Sequence, residues 1–339
     1  MKPLNIAIVG CGGVGRKRAM QMPLCGEIIC CDNRIDRVND LAADLCAEGR
    51  EADVSFKYSD AVSRKNIDAV IVATTHDMLT PVAITAIQAG KHVLIEKPGA
   101  CSLRELEEIE RQAHRHNVSV TIGFNHRYHP GFLKAMELWN EGAIGTGMMV
   151  RGRYGHGGRL GYEKEWRGDP ARGGGELLDQ GVHIIDLAQA FLGKFSTIVG
   201  RAKTLFWMMD VDDNAFMILE NARGQVAHLH VSCTEWRNTF SLEIYGTAGK
   251  LHWEGLGGSY GVERLSHYRM LPQMGPPETT IYEFPRPDES WRLELEAFFA
   301  SVRSGLPVVD VSGAREALRV VEEIRLQSYV DAGTVETAQ

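Results

Sequence analysis

The stretch GGGELLDQGVHIID, residues 173–186, contains side chains suited to acid–base chemistry. Asp179 and His183 lie four residues apart, a spacing that brings two side chains to the same face of a helix. A histidine with a pKa near neutral suits the oxidation of a hydroxyl to a ketone, because a proton must leave along with the hydride. Asp186, three residues further on, is placed to accept a hydrogen bond from the imidazole and fix its tautomer. A histidine on a helix is more often structural, so this pattern alone leaves both roles open.

A second reactive group is Lys97, in the tripeptide EKP that begins at Glu96 and ends an apolar, strand-like run. In open α/β sheets ligands bind beyond the carboxyl ends of the strands, so a lysine there can reach a cofactor or substrate. If local charge lowers its pKa, it can hydrogen-bond a substrate oxygen and ease proton transfer. The alternative is a solvated lysine after a strand. Pro98 could form a cis peptide bond and fix the lysine's direction, although most such bonds are trans.

The glycine-rich stretch GCGGVG, residues 10–15, lies between the apolar run LNIAIVG and a segment that can form a helix. Gly10, Gly12 and Gly15 fit G-x-G-x-x-G, in which the glycines permit a tight turn and let the backbone approach a pyrophosphate at the helix N-terminus. Asp32 ends the next apolar run, 22 residues after Gly10, where such sites place the acid that binds a ribose hydroxyl. We expect a dinucleotide site that favours NAD over NADP, because a 2′-phosphate would meet the Asp32 charge. The positive charge of Arg34 could weaken that preference by offsetting the repulsion.

Residues 151–175 form a basic block inside an acidic chain. Its charged residues and histidine are Arg151, Arg153, Arg159, Lys164, Arg167, Arg172 and His156, against Glu163, Glu165 and Asp169. Because arginine pairs well with phosphate and carboxylate, the block predicts a substrate with an anionic group. Arg159 and Arg167 are the expected anchors, with Arg153 behind them, and Trp166 offers a surface on which a ring can stack. The alternative is a solvated loop that could lie at a subunit interface.

The pattern of elements predicts two domains that would carry these residues. Strand and helix signals alternate over the first ~125 residues, which indicates a doubly wound parallel sheet. From residue 195 to 285 the signals are mostly β, which indicates a large open antiparallel sheet, and two amphipathic helices close the chain. We therefore predict an α/β protein with a Rossmann domain over residues 1–123 and an α+β domain for substrate binding and oligomerisation over residues 124–339.

Composition excludes several classes of function. With 339 residues and a net charge of -7 spread along the chain, a basic nucleic-acid-binding surface is not expected. There is no apolar run of membrane-spanning length and no signal peptide, so we expect a cytoplasmic protein with no membrane partner. The seven cysteines lack C-x-x-C pairs, which fits reduced thiols. His228 and His230 could share a strand face, but no third ligand is evident and no metal site is expected; NHRYH, residues 125–129, is typical of a pocket wall.

Seven motifs in this order and spacing resemble the Gfo/Idh/MocA family of NAD(P)-dependent sugar and cyclitol dehydrogenases: GCGGVGRKRA, CDNR, VIVAT, AGKHVLIEKP, GFNHRYHP, GGGELLDQGVHIID and EIYGTAGKL. The resemblance covers nearly the whole chain and implies a Rossmann domain followed by an α/β domain with a large open sheet. It further implies that Lys97, Asp179 and His183 are catalytic and that Asn125 and Arg127 line the pocket. The family usually has proline and histidine where this chain has Thr75 and Leu79, so the resemblance does not imply the family's cofactor contacts for that loop, whereas it still implies the three catalytic residues.

The motifs and the family resemblance together predict which residues contact the cofactor and which contact the substrate. Expected cofactor contacts are Gly10, Gly12, Gly13, Val14, Gly15, Asp32, Arg34, Thr74, Glu96, Lys97 and Asn125. Expected substrate contacts are Lys97, Arg127, Arg153, Arg159, Trp166, Arg167, Asp179 and His183. The expected partner is a small sugar-like molecule such as a nucleotide sugar, sugar phosphate or sugar acid, and the open sheet suggests a homodimer or homotetramer.

Three functions remain open at this point. The first is an NAD-dependent oxidoreductase acting on a secondary alcohol of a sugar-like substrate. The second is a regulator of the same fold that binds NAD or sugar without turnover, and the third is an NAD-dependent glycosidase that oxidises its substrate transiently. The presence of Lys97, Asp179 and His183 favours the first.

Overall fold

The computed structural model describes residues 3–336, which fall into two compact units. Within those residues, one unit comprises residues 3–125 and 291–315, and the other comprises residues 126–290 and 316–336. The sequence-based boundary at 123/124 assigns everything after it to the second domain. The return of residues 291–315 to the first unit differs from that expectation.

The first unit is built on short apolar strands that alternate with helices. Its strands are β1 (Ile6–Val9), β2 (Ile28–Cys31), β3 (Ala52–Ser55), β4 (Ala69–Val72), β5 (His92–Glu96) and β6 (Val120–Gly123). Its helices are α1 (Gly13–Met20), α2 (Ile35–Ala47), α3 (Tyr58–Ser63), α4 (His76–Gln88) and α5 (Leu103–His116). The strands pair in parallel in the order β6-β5-β4-β1-β2-β3. Every residue of β1, β2 and β4 is buried, as expected for a sheet covered on both faces by helices.

The expected doubly wound parallel sheet is therefore confirmed. The strand β3, ADVS, carries only a weak strand pattern, because it is four residues long and half of it is polar. The ends of α5 follow from local chemistry. The Ser102 side chain accepts from the Glu105 backbone N–H at 3.3 Å, and Asn117 ends the helix in the left-handed conformation with φ 54°.

The second unit is built on an eight-stranded sheet. It contains α6 (Pro130–Asn140), β7 (Gly147–Gly155), α7 (Val182–Leu192), β8 (Phe195–Lys203), β9 (Asn214–Asn221), β10 (Val226–Ser232), β11 (Thr239–Gly246), β12 (Gly249–Glu254), β13 (Glu263–Arg269) and β14 (Glu278–Phe284). The strand order is β14-β13-β12-β11-β7-β10-β9-β8, antiparallel except where β7 lies beside β10. This confirms the predicted large, mostly antiparallel sheet. Helix α7 packs on β7 and β10, and α6 packs on β12 and β13.

After β14 the chain forms α8 (Ser290–Arg303), β15 (Val309–Asp310) and α9 (Ser312–Glu336). Strand β15 pairs in parallel with β6, so the first sheet has seven strands. Leu295, Phe298 and Phe299 of α8 are buried in the same apolar cluster as Ile28 and Leu41 of the first unit. Amphipathic periodicity predicts that α8 covers a core, but it does not say which sheet supplies that core.

A polar cluster around the buried Glu243 lies at the centre of the second sheet. Glu243 on β11 accepts hydrogen bonds from Arg151 Nε at 2.5 Å, Lys250 Nζ at 2.9 Å and the Tyr245 hydroxyl at 3.0 Å. Burial alone would raise the pKa of Glu243, but these donors outweigh it and lower its pKa to about 2. The cluster ties β7, β11 and β12 together through one carboxylate.

We expect Glu243→Gln to lower the Tm near neutral pH, because three donors lose their anionic acceptor. The folded-state pKa of about 2 lies below the ordinary value of 4.5, so this stabilisation is present above the ordinary value and is lost as pH falls toward 2. The Tm difference from the parent protein should therefore shrink over that acidic window in calorimetry. Glu283→Gln, which alters the exposed ion pair with Arg264, is the control. It should change the Tm little both near neutral pH and in the acidic window. A Tm difference independent of pH would contradict this account.

Candidate active site

Two glycines of the β1–α1 turn are required by packing within the chain. Gly10 has φ +100°, and a Cβ there would lie 2.3 Å from the Ala73 carbonyl oxygen. A Cβ on Gly15 would lie 1.7 Å from the Gly10 carbonyl oxygen. No side chain fits at either position, so these glycines bring strand, turn and helix into direct contact.

Two other glycines of the same turn are not required by packing. A Cβ on Gly13 would meet nothing within 4 Å, and one on Gly12 would meet only the Arg37 guanidinium at 3.6 Å. The first turn of α1 carries no acidic residue. The N–H groups at the start of α1, with Val14 among them half-buried, thus stay accessible to an anionic group. This arrangement fits the pyrophosphate of a dinucleotide.

Asp32, at the end of β2, is held beside the glycine turn. Its Oδ2 accepts from the Cys11 backbone N–H at 2.8 Å, and its Oδ1 accepts from the Arg34 backbone N–H at 3.0 Å. The Arg34 guanidinium donates to Asp36 and is exposed. The carboxylate is consequently oriented by backbone donors, as a ribose-binding acid requires.

The remaining predicted cofactor residues of this unit follow the neighbouring strands. Thr74 follows β4 and donates through Oγ1 to the Thr75 carbonyl at 3.1 Å. Glu96 ends β5, Lys97 comes next and is half-buried, and Asn125 follows β6 and is buried. The carboxyl ends of parallel strands lie at one edge of a sheet, so these residues share that edge.

Three features of these segments bear on the sequence analysis. The Lys97–Pro98 peptide bond is cis. Thr75 occupies the N-cap position of α4, where its Oγ1 donates to Asp77 at 2.6 Å, and Leu79 is fully buried. The two residues that depart from the family pattern therefore serve the start and the packing of α4.

In the second unit, Asp179 and His183 lie on one continuous helical segment. Asp179 is within a π-helical turn, Leu177–Gly181, and His183 is in α7 directly after it. Both side chains are buried, with exposed fractions of 2% and 4%. Such widened turns occur often at functional sites, because they redirect one side chain without ending the helix.

Arg167 binds Asp179 directly. Its Nε donates to Asp179 Oδ2 at 2.7 Å, and its guanidinium lies 4.5 Å from the centre of the Trp166 ring. Burial alone would lower the pKa of Arg167, but the Asp179 charge raises it, so the guanidinium stays charged. The sequence analysis predicted that Arg167 binds an anionic group of the substrate. In the structure its guanidinium is hydrogen-bonded to Asp179, a residue of the candidate site.

The other arginines of the basic block also lie near carboxylates. Arg159 donates to Glu165 at 2.8 Å, and Arg153 Nε lies 3.8 Å from Glu235. The charge counted along residues 151–175 includes Glu165 but leaves out Glu235 and Asp179, which approach from elsewhere in the chain. Proximity in sequence therefore overestimates the charge available to a substrate.

His183 lies in a cluster of aromatic rings that spacing along the chain does not reveal. The His126 ring stacks on it with centroids 4.0 Å apart and an interplanar angle of 29°, and the Tyr154 ring lies 6.0 Å away, edge-on. Burial raises the pKa of Tyr154, whose hydroxyl is bonded to Tyr260. His126 and Tyr260 are absent from the sequence-based set of site residues; NHRYH gave the only hint, as a pocket wall.

Arg127 and Asp186 form a two-point ion pair. Nε of Arg127 donates to Asp186 Oδ2 at 2.7 Å, and a terminal nitrogen donates to Oδ1 at 2.5 Å. Asp186 is buried, and the pair joins the 3₁₀ turn Asn125–Tyr128 to α7. The sequence analysis considered Asp186 as a partner of His183 and Arg127 as a pocket residue, and did not predict that they bind each other.

Among residues 3–336, no group of three or more His, Cys, Asp or Glu side chains could hold a metal ion. The two histidines considered as ligands lie on β10. There, His230 stacks on Phe216 at 4.6 Å and contacts Asn214 Oδ1 at 3.0 Å, while His228 is exposed. In the same described range, no helix is both long enough and apolar enough to cross a membrane.

Comparison with known proteins matches both units. A family model described as an oxidoreductase family with an NAD-binding Rossmann fold covers residues 4–124, and the GFO/IDH/MocA C-terminal domain covers residues 132–252. A levoglucosan dehydrogenase of Pseudarthrobacter phenanthrenivorans is 25% identical over 296 residues, 74% of this chain and 73% of that protein. The scyllo-inositol 2-dehydrogenase (NAD(+)) of Bacillus subtilis is 25% identical over 322 residues, 90% and 88% of the two chains.

Among solved structures, a levoglucosan dehydrogenase in complex with NADH and levoglucosan has the same fold. The TM-score is 0.84 at 22% identity, and the match covers 96% of this chain and 97% of the other. The likeness therefore extends over the Rossmann sheet and the eight-stranded sheet alike.

We expect Gly13→Ala and Gly15→Ala to separate cofactor binding from folding. The Gly13 variant should keep its Tm, since its Cβ meets no protein atom, but should bind NAD at least about tenfold more weakly, because the new methyl group occupies the face that a pyrophosphate would approach. The Gly15 variant should lose stability outright. Thermal unfolding and NAD titration calorimetry measure both effects. Unchanged NAD affinity in a folded Gly13 variant would contradict the placement of the pyrophosphate.

Proposed function

The chain belongs to the GFO/IDH/MocA oxidoreductase family, and from that premise we propose that it transfers a hydride between NAD and a secondary alcohol or ketone of a sugar-like substrate. The observation that carries this proposal is the buried pair of Asp179 and His183, with Arg167 bonded to Asp179. Relatives named as dehydrogenases of levoglucosan and scyllo-inositol support a polyol or cyclic sugar.

The residues of the second unit suit removal of a hydroxyl proton. Bound NAD supplies the hydride acceptor. His183 is the proposed general base, since a neutral imidazole can take the hydroxyl proton as the hydride leaves. The Asp179 carboxylate, one turn away and oriented by Arg167, stabilises the imidazolium that forms. Lys97, which the family resemblance assigns to catalysis, is the third candidate.

An uncharged ring is the first choice of substrate. Arg153, Arg159 and Arg167 each lie close to a carboxylate, which already compensates part of the charge that a substrate anion would meet. Hydroxyl groups do not depend on that charge, since they can donate to carboxylates that already hold an arginine. An anionic substrate remains the second candidate because Arg159 keeps most of its side chain exposed.

We expect His183→Ala and Lys97→Ala to lower kcat by ~100- to 10,000-fold, as loss of a general acid–base group typically does. The assay follows NADH formation with levoglucosan and inositols, beside sugar phosphates and sugar acids, and calorimetry follows NAD affinity, which should change little. His114→Ala, on the exposed face of α5, is the control and should retain activity.

The same assay separates the three functions. Steady NADH formation supports the dehydrogenase, and binding of NAD or sugar without turnover on any candidate supports the regulator. Cleavage of a glycoside without net NADH supports the transient oxidation of a glycosidase. Near-normal turnover in the His183 variant would contradict the role given to that side chain.

We also propose that NAD is preferred over NADP, on the geometry of Asp32. Its carboxylate accepts from two backbone N–H groups, and the nearby Arg34 is held by Asp36. We expect Asp32→Ser to lower kcat/KM with NAD by about 10- to 100-fold, the worth of one charge-assisted hydrogen bond. The NADP value should fall less or rise. Equal use of both cofactors by the parent protein would contradict the preference.

Assembly through the eight-stranded sheet is a further part of the proposal. Val199, Phe216 and Ile218 alternate along β8 and β9 on the face away from α7, and each is more than two-fifths exposed. A second copy of the chain would cover this face, as the sequence analysis expected of a homodimer or homotetramer.

A further inference from the structure

The stacked rings of His126 and His183 are the least expected feature of the candidate site. Two titratable imidazoles lie with centroids 4.0 Å apart and planes 29° apart, and both are at least nine-tenths buried. His126 comes from the 3₁₀ turn Asn125–Tyr128, whereas His183 comes from α7. At that separation a proton on either ring acts directly on the other.

Charged and titratable groups approach His183 from its own helical segment and from β7. On the segment, Asp179 is hydrogen-bonded to Arg167 and Asp186 to Arg127, and the buried Glu176 precedes the π-helical turn. From β7 the Tyr154 ring lies against the imidazole, and both Asp179 and Glu176 act on its hydroxyl. Strand β10 presents the apolar Leu229 and Val231 to the buried side of the sheet.

Two further titratable side chains lie close to the His126 ring. His129 lies 5.6 Å away, ring centre to ring centre, and Tyr154 lies 5.3 Å away. His129 Nδ1 contacts Glu263 at 3.0 Å, and its Nε2 lies 3.8 Å from Asp288. Glu263 and Asp288 thus lie beside the imidazole of His129.

We propose that His126 is a positioning residue that keeps His183 unprotonated and holds its ring plane. The proposal rests on the proposed function, in which His183 must be neutral to accept a proton. Asp179 and Asp186 lie on the same helical segment as His183. A carboxylate close to an imidazole favours its charged form and would hold the proton on the base as pH falls. A second imidazole in face contact opposes that tendency.

The direction of the effect does not depend on which ring takes the first proton. If His126 is protonated first, its charge opposes protonation of His183. If His183 is protonated first, the neutral His126 ring adds almost no charge repulsion, so a shift of about one unit or more requires that His126 takes the first proton. Removing the titratable group at residue 126 can therefore only relieve this repulsion.

The test is the variant His126→Phe, which keeps a stacked ring but removes its charge. The acid limb of the log kcat/KM profile with levoglucosan or inositol should move to higher pH by about one unit or more. Tyr154→Phe is the matched control: it alters a ring that also touches His183 but removes no group that titrates in this range, so the acid limb should stay in place.

NMR titration of ¹³C-labelled histidine gives a readout that needs no turnover. The His183 resonance should titrate at higher pH in His126→Phe than in the parent protein. His126→Gln, with a neutral polar side chain, replaces the phenylalanine variant if that protein does not fold, and should shift the resonance in the same direction. An unchanged or lower titration midpoint for His183 overturns the proposal. If no substrate is turned over, the proposed function fails, while the NMR midpoints still decide the coupling between the rings.

Discussion

A buried arginine underlies the organisation of the first unit. Arg18 on α1 is fully buried, donates through Nε to Glu96 at the end of β5 at 2.7 Å, and forms an ion pair with Glu294 on α8. Burial alone would lower the pKa of Arg18, but the two carboxylates outweigh that effect and raise it. An unpaired charge there would cost several kcal/mol, so α1, β5 and α8 must assemble together. The glycine turn before α1 and Lys97 after Glu96 take their positions from this assembly.

Paired charges have the same importance in the second unit. Arg167 holds Asp179 and Arg127 holds Asp186, so both carboxylates of the segment that carries His183 are fixed by guanidinium groups. These ion pairs leave little net charge on this segment for a ligand. A basic stretch in the sequence therefore does not by itself predict an anionic substrate.

Local patterns account for most of the elements and for the glycine turn. Apolar runs predicted β1, β2 and β5, because each depends on residues adjacent in the chain. The cofactor contacts expected from Gly10 to Asn125 remain predictions. The same holds for the catalytic roles of Lys97, Asp179 and His183. Their placement at strand ends and in a widened helical turn is compatible with those roles.

The sequence by itself determined the two kinds of sheet, the glycine turn that excludes side chains, and the spacing of Asp179 and His183. Each of these is set by periodicity or by steric limits over a few residues. Only the tertiary structure decided which charges pair and which rings stack. Arg18 meets Glu294 across 276 positions, and Arg127 meets Asp186 across 59. The packing of helices and strands decides which of these distant residues meet. Because a buried charge without a counter-charge loses its hydration at a high cost in free energy, the folded state must bring such a partner to it.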